Sequence, residues 1–256
     1  MKPRAVKRIG LFFTTMLIVF GAAVQAYEAG EPIQWITEEY PPFNFSDSDG
    51  AAVGITVDLL KAMTERAGIP FDASEIQVLP WARGYRLVQE EANRCLFGTT
   101  VTESRRQLFQ FIEPAVELRV GIIGPRATGL QIDSLEDLET LQIGVVRDDI
   151  GELLLQEIGA ENLRLIRTDS ARNLVRMLAA RRFDVVSYGD APTFWTMLKN
   201  GIDPDDYEIV WVLRDGVMGF ACHPDTSPDL LEMLQESLDS LIKDGTSAAI
   251  RERYVR

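Results

Sequence analysis

The sequence predicts an α/β fold built as two units with a cleft between them, and three observations carry that expectation. Short apolar strands alternate with amphipathic helices in the first half of the chain, the rhythm of strand–helix crossovers with parallel pairs. The same rhythm restarts in the second half. Between the halves runs "ELRVGIIGPRATG", Glu117 to Gly129, extended and punctuated by Gly and Pro, with no long linker. Two such units imply two sheets, and the cleft between units is a common home for small ligands.

The elements follow in order. "PIQWIT" reads as a strand, and "EEYPPFNFSDSDG", rich in Pro, Asp, Ser and aromatics, as a loop. "GITVDLLKAMTERAG" places Val57, Leu59, Leu60 and Met63 at helical spacing and ends on Gly68, a natural C-cap. "FDASEIQVL" reads as a strand, "PWARGYRLVQEEAN" as a helix opened by Pro80, and "RCLFGTTV" as a short apolar strand. In the second half "LQIGVV", "LRLIRT" and "FDVVSYG" are strands, with "GELLLQEIGA", "SARNLVRMLAARR" and "APTFWTMLKN" as helices. "YEIVWVLR" and "VMGFACHP" read as two further strands. Ser227 as N-cap and Pro228 at N1 open a last long helix, whose apolar face carries Leu230, Leu231, Leu234, Leu238, Leu241 and Ile242. A short helix follows the glycine of "KDGTSAAIRERYV".

Composition narrows the function. Of 256 residues, 46% are hydrophobic and 25% charged, ordinary for a globular protein with a sizeable core. Residues 1–26 join a basic start (Lys2, Arg4, Lys7, Arg8) to an apolar run too short to span a bilayer, closed by Val24 and Ala26. That is the pattern of a cleaved secretory signal peptide, so a periplasmic location is expected, with no membrane insertion after cleavage. Its removal takes away four basic and no acidic residues and leaves a net charge of −17 in place of −13. Such a chain has no electrostatic basis for binding nucleic acid. A single histidine, His223 in the loop "ACHPD", leaves little for a His-based metal site or a Ser-His-Asp triad. No cofactor is expected. Cys95 and Cys222 are the only cysteines; export permits a disulfide, and two buried free thiols are the alternative.

Four stretches in order, "YPPFNF…G…GITVDLLKAM", "GTTVTESRRQLFQF", "FDVVSYGDAP" and "SLIKDGTSAAI", resemble the periplasmic solute-binding proteins of the polar amino-acid uptake class, solute-binding family 3. The resemblance covers nearly the whole mature chain, and "LPWARGYRL" with "RCLFGTT" marks a divergent branch. It implies a type II periplasmic binding protein fold whose two lobes are joined by two hinge strands and close on the ligand. Lobe 1 would hold residues 27–116 and 219–256, and lobe 2 residues 117–218. It further implies a monomer that is not an enzyme and that hands a small amino-acid-like ligand to an ABC permease at the inner membrane.

The same resemblance nominates binding residues. In Thr-x-Thr-x-x-Arg, here Thr100, Thr102 and Arg105, with Phe111 six residues on, the arginine pairs with the ligand's α-carboxylate, which a guanidinium fork matches in bidentate geometry. Thr100 adds a hydroxyl and Gly98 a close backbone approach. A solvated helix arginine is the other option, and it suits Arg106, since adjacent helical residues do not share a face. Asp190 would receive the ligand's ammonium or cap a helix. Tyr40 would wall the pocket or simply pack, while Trp81 and Arg83 would line the cleft or, for Arg83, remain a surface charge. The return crossing would bring the Cys222 strand beside the Cys95 strand, where a disulfide can form.

One departure bears on the ligand. Where relatives carry a Gly-Thr pair, this chain has "GVVRDDIG". An aspartate turned into the cleft, Asp148 or Asp149, would favour a cationic amino acid; Arg147 there would favour an acidic one. Two other roles stay open, a soluble partner of a sensor kinase or chemoreceptor, and a dehydratase of prephenate- or arogenate-like acids. For the second, Glu38, Glu39, Glu113 and Asp190 are candidate carboxylates, none singled out by spacing.

Overall fold

A computed structural model describes residues 32–159 and 162–254. The signal-peptide expectation, residues 1–26, lies outside the described residues. Residues Glu31–Arg256 form one compact unit.

The chain begins with β1 (Gln34–Thr37), the small hairpin β2 (Phe45–Ser46) and β3 (Ala52–Val53), then α1 (Ile55–Ala67), β4 (Gln77–Val78), α2 (Trp81–Glu90), β5 (Arg94–Thr100) and the one-turn α3 (Glu103–Arg106). The long β6 (Gln110–Pro125) leads to α4 (Leu135–Glu139), β7 (Gln142–Val146), α5 (Ile150–Glu157), β8 (Arg164–Thr168), α6 (Ala171–Ala179), β9 (Val185–Gly189) and α7 (Asp190–Lys199). The equally long β10 (Tyr207–Cys222) returns, and α8 (Pro228–Lys243) and α9 (Thr246–Glu252) end the chain.

The predicted parallel pairs are present: β1 runs parallel to β4 and β5, and β7 to β8 and β9. Two expectations change. "YEIVWVLR" and "VMGFACHP" are one strand of 16 residues, because Asp215 and Gly216 stay in the ladder opposite Arg119 and Leu118 instead of turning. The two expected sheets are likewise one eight-stranded sheet, order β4-β1-β5-β10-β6-β9-β7-β8, since β6 and β10 pair along their length and carry the ladder from one end to the other. Register shifts along that pairing absorb the sheet's twist.

Smaller differences have local causes. The strand expected in "FDASEIQVL" shrinks to two residues because Asp72 caps a 3-10 turn at Ala73–Glu75, accepting the Ser74 N–H at 2.8 Å. In α8, Leu230, Leu231, Leu234, Leu238 and Leu241 are buried, whereas Ile242 rotates out to 43% exposure. Each end of the sheet has its own apolar core, one around Ile36, Trp81, Val88, Leu96 and Ala221, the other around Ile122, Leu138, Ile143, Leu155 and Val185. Cys95 and Cys222 face each other in the β5–β10 ladder, Cα atoms 4.0 Å apart, and are bonded as a disulfide. Among the described residues no helix is long and apolar enough to cross a membrane.

Candidate functional site

In parallel α/β sheets ligands collect beyond the carboxyl ends of the strands. Four such ends meet here. Glu38 and Tyr40 follow β1, Arg105 follows β5, Asp149 follows β7, and Tyr188 and Gly189 end β9. These side chains are buried together and act on one another's ionisation.

Arg105 is at the centre. Thr102 caps α3 by accepting the Arg105 backbone N–H at 3.2 Å, which fixes the side chain's starting direction. Its Nη1 donates to the Thr100 carbonyl at 3.0 Å, and its guanidinium carbon lies 4.7 Å from the centre of the Trp81 ring and 5.6 Å from that of Tyr85. Aromatic faces offset part of the cost of burying the cation, yet Arg105 is 2% exposed and its Nε has no hydrogen-bond partner. Burial lowers its pKa, opposed first by the charge of Asp149 and then by Tyr85 and Glu38.

Two carboxylates face this cation. Asp149 caps α5: its Oδ1 accepts the Ile150 N–H at 2.5 Å, while its buried Oδ2 has no hydrogen-bond partner. Burial pushes its pKa up to about 6 against the pull of Arg105. Glu38 is raised well above the usual carboxylate range, by burial first, then by Asp149, with Arg105 opposing. The Tyr40 and Tyr188 rings meet edge to face at 5.2 Å, and both hydroxyls are buried without partners. The site thus presents one cation, two acids and two phenols, with spare hydrogen-bonding capacity on Arg105, Asp149, Tyr40 and Tyr188. Buried polar groups are almost always satisfied, so the arrangement suits a small polar molecule bearing both charges.

The surroundings hold these groups in place. Trp81 Nε1 donates to the Asp148 carbonyl at 2.7 Å, joining the β5 end of the sheet to the β7 end. Asp148 has φ 58°, and its N–H is held by Glu152 Oε2 at 2.9 Å, Glu152 in turn pairing with Arg167. Gly151 lets α5 approach β9, since a Cβ there would lie 2.0 Å from the Ser187 carbonyl oxygen. Asn44 Nδ2 donates to the Glu38 carbonyl at 2.9 Å and fixes the turn that carries Glu38 and Tyr40.

The residues nominated from sequence separate into two groups. Arg105, Tyr40 and Trp81 come together, and Thr100 contributes its carbonyl to Arg105. Gly98, at φ 73°, is pressed against the Asn44 side chain, so its freedom serves that contact. Arg83 is exposed, two residues around α2 from the buried Trp81. Asp190 starts α7 and lines a groove with Arg119 and Asp215, close enough to the cluster for its charge to raise the Tyr40 pKa, while its neighbour Gly189 is the position that meets the Tyr40 hydroxyl. Arg106 is solvent-exposed and pairs with Glu113. Of Arg147, Asp148 and Asp149, only Asp149 is buried toward Arg105. Tyr85 and Tyr188 were not singled out from sequence; Tyr85 was legible as the i+4 neighbour of Trp81 on one helix face.

Comparison with known proteins shows the family and the fold. A probable histidine-binding protein of Neisseria gonorrhoeae is 26% identical over 165 residues, 63% of this chain and 59% of that one. The aligned part thus spans about three fifths of that relative's length. The ABC transporter arginine-binding protein 1 of Escherichia coli is 24% identical over 97% of this chain and 98% of its own. Among solved structures, a histidine kinase sensor domain with similarity to periplasmic binding proteins superposes with a TM-score of 0.77 at 24% identity, covering 88% of this chain and 96% of that one. The fold is therefore the type II periplasmic binding protein fold. The family model of bacterial extracellular solute-binding proteins, family 3, matches residues 33–256, and the chain belongs to that family.

Proposed function

We propose that this protein captures a small amino-acid-like ligand in the periplasm and delivers it to an ABC permease. The observation that carries this reading is the buried Arg105 with its open Nε, set between aromatic rings and faced by Glu38 and Asp149. In this reading Arg105 takes the ligand's carboxylate, and one acid takes its ammonium. Burial opposes ionisation of the second acid, and a ligand with a cationic side chain would pair with it and hold it charged, since buried charges must be paired. Asp190 lines the neighbouring groove, though its charge also acts on Tyr40; in this reading Glu38 and Asp149, which face Arg105, take the role the resemblance gave it. Lobe closure is the working step, and the Trp81–Asp148 hydrogen bond is the contact that would report it.

A thermal-shift panel of the common amino acids, keto acids and short peptides tests the assignment, because a ligand that binds only the folded protein raises Tm. Arginine, lysine, ornithine or histidine should give the largest rise. A panel with no shift at millimolar concentration would sink the reading.

The same pair of raised acids favours one second reading, a dehydratase in which an acid beside the carboxylate anchor moves a proton. Prephenate or arogenate incubated with the protein and recovered unchanged dismisses it.

A further inference from the structure

A concavity of about 1110 Å³ lies beside the buried Arg105 cluster; Glu38, Tyr40, Trp81, Arg105 and Asp149 do not line it. One wall is the turn and start of α1, with Phe43 and Ile55, joined by the C-terminal Tyr254. The other wall is one face of α7, where Asp190, Phe194 and Leu198 recur at intervals of four, with Trp195 beside them. The floor is the middle of the two crossing strands, Glu117 to Arg119 and Asp215 to Val217.

Three features of this groove point to a ligand of one kind. Its surface is largely apolar and aromatic, and Leu198 stands 64% exposed on it. Its two arginines are already engaged, Arg119 with Asp215 at 2.7 Å and Arg251 with Glu117 at 3.5 Å. Asp190 is half-buried and forms no ion pair among the described residues; Arg119, committed to Asp215, acts on it only from a distance, and its carboxylate accepts the Ala191 N–H of its own helix at 2.6 Å. Glu252 adds further negative charge to the lining. A carboxylate at a helix start gains from the helix dipole, but that alone does not account for an aromatic-walled cavity around it. The Trp195 ring already takes the Lys199 ammonium at 5.3 Å, so its face accepts cations.

We propose that this groove is a second ligand site, for a small organic cation with a flat or hydrophobic body. The cationic head pairs with Asp190 and the body lies against Trp195, Phe194 and Phe43. The groove also shares two chain segments with the Arg105 site. Phe43 stacks on Tyr40 at 5.8 Å, and Asp190 directly follows Gly189, which meets the Tyr40 hydroxyl. Occupancy of the groove therefore braces the turn and the strand end that also wall the capture site.

The test is calorimetric titration of the full mature chain with 2-phenylethylammonium, alongside 2-phenylethanol and phenylacetate as the neutral and anionic probes of the same body. The expected result is saturable one-to-one binding of the ammonium probe, at least tenfold weaker for the other two probes. Asp190→Asn should weaken the ammonium probe at least tenfold, and Arg105→Ala should leave it within twofold. The absence of saturable binding, equal affinity for the three probes, or an unchanged affinity in Asp190→Asn overturns the proposal. Loss of binding in Arg105→Ala also overturns it, because the probe would then occupy the capture site. If Asp190→Asn does not fold, Trp195→Ala gives the same decision: a tenfold loss supports the site and an unchanged affinity removes it. The proposal is independent of the capture reading, and Arg105→Ala separates the failure of one from that of the other.

Discussion

Asp149→Asn should make the ligand-free protein more stable and the site less able to bind. The Asp149 carboxyl titrates near 3.8 when solvated and at about 6 in the fold. Holding it ionised in the fold therefore costs roughly 3 kcal/mol above pH 7. Asparagine keeps a side-chain oxygen for the Ile150 N–H and removes the charge, at a cost of about 1 kcal/mol for an amide group left without a partner. The net gain is about 2 kcal/mol, or about 4–8 °C in Tm for a domain of this size. The pH dependence gives the sharper signature. A folded pKa raised above the unfolded one means that the folded state holds the proton more tightly between pH 3.8 and about 6. Lowering the pH through that window stabilises the wild type more than the variant, in which Glu38 alone of the two acids still gains a proton, so the advantage of Asp149→Asn should be full at pH 8 and gone by about pH 4. Thermal unfolding of both proteins across pH 4–8, with ligand removed by unfolding and refolding, measures it. A variant less stable than wild type at pH 8, or a difference that does not change with pH, would refute the placement of Asp149 as a buried charge opposed to Arg105.

Two other perturbations follow from the same contacts. Trp81→Phe keeps an aromatic face on Arg105 but loses the 2.7 Å hydrogen bond to the Asp148 carbonyl. The loss of about 1 kcal/mol should appear as a roughly fivefold faster ligand dissociation in stopped flow, and an unchanged rate would mean that the bond is not part of the closed state. Reduction of the disulfide, or Cys95→Ser with Cys222→Ser, removes a link between residues 127 apart. It should lower Tm by at least about 5 °C, and a Tm unaffected by reductant would contradict the bond's contribution to the β5–β10 pairing.

Much of the architecture was legible in the sequence because helical and strand periodicities are local. The parallel strands and the caps at Gly68 and Ser227 all follow from such patterns. The continuity of β10 did not, because Asp215–Gly216 is a turn signal in isolation and a ladder with β6 overrides it. In the site, the Thr100–Thr102–Arg105 spacing distinguished Arg105 from Arg106, since a one-turn helix buries only one of two neighbours. Asp149 was visible only as a departure from the family pattern, without a direction, because which of three consecutive residues turns inward is decided by the cap of α5. Glu38 was one of several candidate acids; the turn that carries it is tied by the Asn44 side chain to its backbone carbonyl, a local contact with no periodic signature. At the β9–α7 junction a difference of one residue separates Gly189, against Tyr40, from Asp190, in the neighbouring groove, and such registers are where sequence spacing is least informative.

The most direct test of the central claim, that Arg105 holds a ligand carboxylate while Glu38 and Asp149 balance its positive charge, is a calorimetric cycle with L-arginine and its decarboxylated amine agmatine on wild type and Arg105→Ala. The account predicts that agmatine binds wild type at least 100-fold more weakly than arginine, and that Arg105→Ala reduces arginine to the level of agmatine while leaving agmatine nearly unchanged. Equal affinity for the two molecules in the wild type, or an equal loss of both in the variant, would contradict it.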